Sequence, residues 1–211
     1  ALWAAHDAVA RLGLVKLEKG KKVKGKAMVV GATGAIGAAC ARLLARTTEE
    51  LHLVSPEAAK LLVLKKSIQK ESPGVRLVLS SYADSDENIG DMDLFVTATS
   101  GAGKKILDIM RVKPGCVITD VARPLDLSPV DVAKRPDVLV IESGEIALPG
   151  EVKMKSIGFE DRSVVYACLA ETIVLALEGR FENFTLGRNL DWEKVHEIYK
   201  LGLKHGMELA A

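Results

Sequence analysis

Aromatic side chains supply only 4% of these 211 residues, too few for a binding platform built on stacked rings. Charge of one sign is also lacking: 29 Lys and Arg stand against 28 Asp and Glu. No strong field therefore draws the chain to nucleic acid or to an anionic membrane. Long hydrophobic runs are missing. Stretches such as Val138-Leu139-Val140-Ile141 fall far short of the roughly 18 residues a membrane span needs. The three cysteines, Cys40, Cys116 and Cys168, show no CxxC spacing and no matching histidines. That excludes a disulfide scaffold and a zinc site and makes a reducing cytoplasm the expected compartment. No secretory signal is visible, and a start at Ala1 without methionine reads as a processed or truncated chain.

What is abundant is Ala, Val, Leu and Ile, the composition of a parallel sheet wrapped in helices. Residues 1–13 carry Leu2, Ala5, Val9 and Leu12 near a helical period. Glu18 to Lys26 reads as a solvated Lys/Gly-rich connector. Six strand signals follow: Ala27–Gly31, Leu51–Ser55, Val75–Ser80, Asp93–Thr99, Cys116–Asp120 and Val138–Glu142. Strands alternating with helix-compatible sequence imply βαβ units with right-handed crossovers. The expected fold is a doubly wound, Rossmann-type α/β domain with a mainly parallel six-stranded sheet in the order 3-2-1-4-5-6. After residue 150 the pattern changes to a helix over Glu160–Gly179, a turn at Gly187–Asp191 and a helix over Trp192–His205. The expected organisation is a helix and connector at 1–26 and a dinucleotide-binding domain at 27–150. A C-terminal helical segment on the substrate side follows at 151–211.

The densest signal is Gly31-Ala32-Thr33-Gly34-Ala35-Ile36-Gly37, placed between a strand and a helix. Glycines there permit a tight turn and close approach to a pyrophosphate, which the helix amides and dipole stabilise. Six strand signals in order supply the context that a glycine-rich loop alone does not. The tip of the second strand selects the adenine ribose, and an acid there accepts from the 2′-OH of NAD. Here Leu53-Val54 runs into Ser55-Pro56 with no acid at the tip. Ser55 can donate to a phosphate, and Lys60 can approach from the next helix, so NADP is expected as cofactor. Glu57 would oppose that if a small backbone shift carried it to the ribose. Loops after later strands should touch the nicotinamide half: Thr97-Ala98-Thr99-Ser100-Gly101, Asp120–Pro124 and Ser143-Gly144. Each of these also reads as ordinary loop chemistry.

On composition alone Cys168, amid apolar residues of a helix, reads as core filler. Its surroundings, Tyr166-Ala167-Cys168-Leu169-Ala170-Glu171, are followed by Leu177-Glu178-Gly179, Asn183-Phe184-Thr185-Leu186-Gly187-Arg188-Asn189 and Lys204-His205-Gly206. Together with Val29–Cys40, this series resembles the cyanobacterial long-chain acyl-[acyl-carrier-protein] reductases over most of the chain. The resemblance implies an NADP-dependent reductase that makes an aldehyde from a fatty acyl thioester of acyl carrier protein or coenzyme A. It implies Cys168 as the residue that accepts the acyl group, with His205 on the family's late histidine. Ser100 and Ser143 are conceivable oxyanion donors. His205 reads equally well as a helix-end residue favouring the C-terminal dipole. Two other readings remain open: a shikimate-dehydrogenase-like oxidoreductase with no covalent step, and a non-catalytic dinucleotide-binding domain. An open sheet edge and an apolar C-terminal helix make a homo-oligomer plausible.

Overall fold

The computed structural model describes residues 23–101, 104–152, 155, 159, 161–187 and 190–210. The helix expected at 1–13 and the connector before Val23 lie outside them. The chain divides into two compact units, Ala1–Ser143 and Gly144–Ala211.

The first unit holds strands β1 (Val23–Val30), β2 (Thr48–Val54), β3 (Arg76–Ser80), β4 (Leu94–Thr97), β5 (Val117–Asp120) and β6 (Leu139–Glu142). Their order is β3-β2-β1-β4-β5-β6, and every pairing is parallel. The expected Rossmann order is present. Strand β1 starts earlier than its apolar run does: Val23 pairs with Thr48 before a register shift brings Lys26 to Glu50. The tail of the basic connector is thus strand rather than loop.

Alternation along the strands builds two cores. Ala27, Val29, Leu51, Leu53, Val96 and Val117 face helices α1 (Ala35–Thr47) and α2 (Ala58–Glu71), which contribute Cys40, Ala41, Leu44, Leu61, Leu64 and Ile68. Met28, Val30, Phe95 and Ile118 point to the other face. There the cover is irregular: 3-10 turns at Ala83–Ser85, Ile89–Asp91 and Ile109–Arg111, and the single-turn helix α3 (Pro129–Val132). Ile89, Met92, Leu107, Ile109 and Leu127 do the burying on this side.

One polar network runs through the β2–β3 side of the unit. His52 is fully buried, with Nδ1 2.5 Å from Asp86 Oδ2 and Nε2 2.9 Å from Glu50 Oε1. Asp86 also accepts from Ser80 Oγ at 3.0 Å and from the Asn88 N–H at 2.9 Å. A buried imidazole survives in a sheet only when both ring nitrogens are satisfied.

In the second unit, β7 (Glu145–Ala147) pairs antiparallel with β8 (Val164–Tyr166) and β9 (Glu208–Leu209). Helices α4 (Ala167–Leu177) and α5 (Trp192–Lys204) complete it. The single helix expected over 160–179 is therefore corrected. Residues 161–163 are bend and turn, strand β8 follows, and the helix begins only at Ala167. Val164 and Val165 are β-branched and pack better on a pleat than in a helical turn, and β7 offers them a partner. The core is small: Val165, Ala170, Val174 and Met207 are buried, with Ile146, Leu148, Leu169, Ile173, Ile198 and Leu201 packed around them.

Candidate active site

The glycine loop leaves β1 at Gly31, whose φ of +83° suits glycine. The Gly31 and Ala32 amides both donate to the Val54 carbonyl at 3.0 Å, which ties the loop to the tip of β2. A Cβ at Gly31 would lie 2.5 Å from the Ala98 carbonyl oxygen, and one at Gly37 would lie 2.1 Å from the Gly31 oxygen. Neither position accepts a side chain. Gly34 is the N-cap of α1, with no side-chain cap and no acid in the first turn. The amides of Ala35 and Ile36 open that helix, where N–H groups have no intrahelical partner. An anion brought here meets backbone donors and the positive end of a helix of 13 residues. The side chain of Ile36 is half exposed at the same turn.

At the β2 tip, Thr33, Ser55, Glu57 and Lys60 form one cluster. Thr33 Oγ1 lies 2.7 Å from Ser55 Oγ and donates to Glu57 Oε2 at 2.8 Å. Ser55 Oγ accepts from the Glu57 N–H at 3.2 Å, and Lys60 Nζ is ion-paired to Glu57 Oε1. The sequence leaves no acid in the last residues of β2, yet the turn after it carries the Glu57 carboxylate onto the phosphate loop. Ser55 is buried and engaged, and Lys60 is held by Glu57.

The β4 loop is clamped. Ala98 N–H donates to the Val30 carbonyl at 2.9 Å, and Asp126 accepts from both the Thr99 N–H at 3.0 Å and Thr99 Oγ1 at 2.5 Å. Burial raises the Asp126 carboxyl above its ordinary range against the Thr99 bonds, which act the other way, and Asp120 adds to the rise. Sequence reasoning missed Asp126, which sits without a motif between the fifth strand and a proline. Ser100 is exposed. Ser143 is buried, its carbonyl accepting from Arg123 Nη2 at 3.1 Å. Among the described residues, the hydroxyls of Thr97, Thr119 and Ser143 are buried with no hydrogen-bond partner. Orphaned donors at the ends of β4 and β6, with a glycine cradle at β1, fit a dinucleotide along the carboxyl edge of the sheet. Gly144, with φ of +99°, follows at the start of the second unit.

The thiols separate by burial. Cys40 and Cys116 lie in the two cores, where burial pushes them up to about 11 and about 12 respectively. Cys168 is exposed. It is not mid-helix core filler. Tyr166 is the N-cap of α4, so Cys168 is the second residue of a first turn that lacks acids and a side-chain cap. The Ala167 amide donates to the Gly144 carbonyl at 2.7 Å, and Thr172 Oγ1 donates to the Cys168 carbonyl at 3.2 Å. Glu171 is bonded to Thr185.

His205 is at the other end of the second unit. It is the C-cap of α5, and its Nε2 lies 2.6 Å from Glu178 Oε1, which Lys204 Nζ also reaches at 2.6 Å. Those two bonds, Lys204 first, lower the Glu178 carboxyl. Glu178 caps the C-terminal end of α4, about 15 Å along the axis from Cys168 at 1.5 Å per residue. The structure does not bring His205 to the thiol. Among the described residues, no group of His, Cys, Asp and Glu is disposed to hold a metal, and no helix is long and apolar enough to cross a membrane.

No family model matches the chain. It is 37% identical over 180 residues to "Aminotransferase PigE" of a Serratia species, covering 84% of this chain and 21% of that protein. It is 24% identical over 185 residues to a long-chain acyl-[acyl-carrier-protein] reductase of Synechococcus elongatus, covering 85% of this chain and 52% of that one. It is 30% identical over 123 residues to an NADP(+) shikimate dehydrogenase of Rhodospirillum rubrum, covering 51% and 43%. Among solved structures, the ligand-free 5-ketofructose reductase of a Gluconobacter strain is similar at 16% identity. It gives a TM-score of 0.48 over 91% of this chain and 60% of that one. The chain spans about half or less of the length of the curated relatives it matches, and what it has of its own is the Rossmann strand order with a glycine cradle at the first crossover.

Proposed function

We propose that this chain is an oxidoreductase that uses a nicotinamide dinucleotide to reduce an acyl thioester to an aldehyde, with Cys168 as the residue that carries the acyl group. One observation carries the reading: of the three thiols, the exposed one stands in the first turn of a helix, at the position the acyl-reductase resemblance marks. The aminotransferase name belongs to a protein of which this chain covers 21%, and it is not carried over. Two relatives carry reductase and dehydrogenase names, and the Rossmann strand order of the first unit is a setting where hydride chemistry belongs.

In this reading Gly31–Gly37 cradles the pyrophosphate, and the hydroxyls of Thr97 and Ser143 are satisfied by the bound nucleotide. Ala98, Thr99 and Ser100 edge the nicotinamide half, and Gly144 is a further proposed cofactor residue. Asp126 fixes that loop through the N–H and the hydroxyl of Thr99. A bound nicotinamide supplies the hydride that takes the acyl group to an aldehyde, whose departure frees the cysteine sulfur. The thiolate of Cys168 first attacks the thioester carbon, forming one carbon–sulfur bond as the carrier's carbon–sulfur bond breaks. The carrier leaves as a thiolate that takes up a proton equivalent to the one the Cys168 thiol gave to solvent. The oxyanion of that attack is stabilised by first-turn amides of α4 beyond Ala167, whose own N–H is given to the Gly144 carbonyl. Acyl carrier protein or acyl-coenzyme A is the proposed donor. NADP(H) is the carrier that Ser55 and Lys60 would serve; NAD(H) is the one that Glu57 would serve.

The test is intact mass after mixing with acyl-coenzyme A or acyl carrier protein, without dinucleotide. An acyl increment lost in Cys168→Ala supports the covalent reading. An unchanged mass, or an increment that persists in Cys168→Ala, leaves a non-covalent dehydrogenase or a dinucleotide-binding domain.

A further inference from the structure

We propose that Glu57 selects the dinucleotide, and that this site admits NAD(H) in preference to NADP(H). The inference rests on the dinucleotide-binding reading of the first unit but not on the acyl chemistry of Cys168.

The argument begins with where the carboxylate is held. Glu57 lies two residues beyond the buried Ser55 at the end of β2, and the turn between them is closed by the Glu57 N–H donating to Ser55 Oγ at 3.2 Å. Thr33, inside the phosphate loop, donates to Glu57 Oε2 at 2.8 Å and lies 2.7 Å from Ser55 Oγ. The loop that would cradle the pyrophosphate and the side chain at the β2 tip are thereby parts of one hydrogen-bonded unit. In a sheet of this order, the adenine ribose lies between those two features. A carboxylate fixed there accepts from a ribose 2′-hydroxyl, and the like charge of a 2′-phosphate is repelled.

Lys60 does not reverse this. Its amine is ion-paired to Glu57, so it meets a 2′-phosphate together with a carboxylate rather than as a lone cation. Ser55 is likewise committed, its hydroxyl shared between Thr33 and the Glu57 amide. A 2′-phosphate would have to separate Lys60 from Glu57 and then sit beside the carboxylate it displaced. A 2′-hydroxyl needs neither change. Glu57 is half exposed, its side chain 46% accessible, so solvent and salt screen the repulsion without removing it.

The experiment is direct binding of NADH and of NADPH to the chain, read by nicotinamide fluorescence and by calorimetry at low and high salt. NADH should bind about tenfold or more tightly than NADPH at low salt, and the ratio should narrow as salt rises. Glu57→Gln keeps the shape and removes the charge: it should weaken NADH, strengthen NADPH and bring the two near equality. Lys60→Ala should leave the NADH preference in place. Equal or tighter binding of NADPH by the unaltered chain overturns the proposal, as does a ratio that Glu57→Gln fails to move. Binding of neither nucleotide overturns the dinucleotide site itself. A missing acyl increment in the mass experiment touches neither result.

Discussion

Two strand-to-helix junctions, β1 into α1 and β8 into α4, carry the proposed chemistry, and they solve the same local problem differently. In each, a strand feeds a helix whose first turn has no acid and no side-chain cap. The positive end of the helix is left to whatever anion arrives. At the first junction the chain removes its side chains. Glycines let the Ala98 and Gly31 carbonyls close to distances that a Cβ would forbid, so the backbone itself meets the ligand. At the second the chain keeps a side chain and exposes it, placing Cys168 one residue into the helix. A helix start of the first kind suits a ligand that must come and go. One of the second kind suits a ligand that is to be covalently held.

Filling the first junction should give the largest effect. Gly37→Ala sets a methyl 2.1 Å from the Gly31 backbone oxygen; Gly31 directly follows paired β1, and Gly37 lies in the first turn of α1. A loss of about 3 kcal/mol in denaturant unfolding is expected, with dinucleotide binding abolished. A variant that kept native stability and bound NADH would show that the cradle yields, and the contrast between the junctions would fail.

The support behind the first junction gives the next effect. Val54, whose carbonyl holds the Gly31 and Ala32 amides, ends the strand in which His52 is gripped by Asp86 and Glu50. At Glu50 the His52 bond lowers the carboxyl more than burial raises it. At Asp86 burial raises the carboxyl, but bonds from His52, the Asn88 amide and Ser80 together outweigh it. Carboxylates depressed in the folded state contribute stability above their unfolded values and surrender it as pH falls through the folded ones. The first unit should therefore weaken as pH drops below the ordinary values of 4.5 and 3.8. Asp86→Ala should cost about 1–3 kcal/mol at neutral pH and flatten that acid limb. Superimposable acid limbs for the parent and the variant would remove the network from the account.

Cys168→Ser should be nearly silent in stability, within about 0.5 kcal/mol, because the side chain is exposed and touches no core. Its effect should fall on the acyl increment, which an oxygen nucleophile at the same place would not restore at neutral pH. A stability loss of more than about 1 kcal/mol would mark the thiol as a packing element and return it to the reading its apolar neighbours first gave.

These two junctions were unequally legible in the sequence. The first is written in Val29-Val30-Gly31 and the glycines that follow, because only glycine satisfies both the positive φ and the close carbonyls. The strand order followed from short apolar runs whose spacing permits little else. The second junction was hidden. Val164-Val165-Tyr166 continues the apolar pattern of α4, and periodicity cannot divide a three-residue strand from the helix after it. Its partners β7 and β9 have three and two residues, too few to show a period. Glu57 was visible as a residue but not as a neighbour of Thr33, since a turn geometry set by Ser55 Oγ leaves no compositional trace. The 3-10 turns over the second face of the sheet were equally silent, being built from scattered Ile, Met and Leu without a repeat.

The smallest expected effect decides what His205 does. Its ring is bonded to Glu178 at the C-terminal end of α4, and Cys168 stands at the N-terminal end. The geometry makes it a tie between the ends of two helices, with Gly206 turning the chain away at a φ of +73°. His205→Gln should cost less than about 1 kcal/mol and leave the rate of acyl-enzyme formation within about twofold of the parent. A general base in contact with the thiol would contribute about 10²–10⁴-fold, so the two roles are far apart on the same measurement. A slowing of that size in a folded His205→Gln protein would mean that the thiol end of α4 and the histidine end act as one site. The two junctions could then no longer be contrasted as a cradle on one side and a solitary nucleophile on the other.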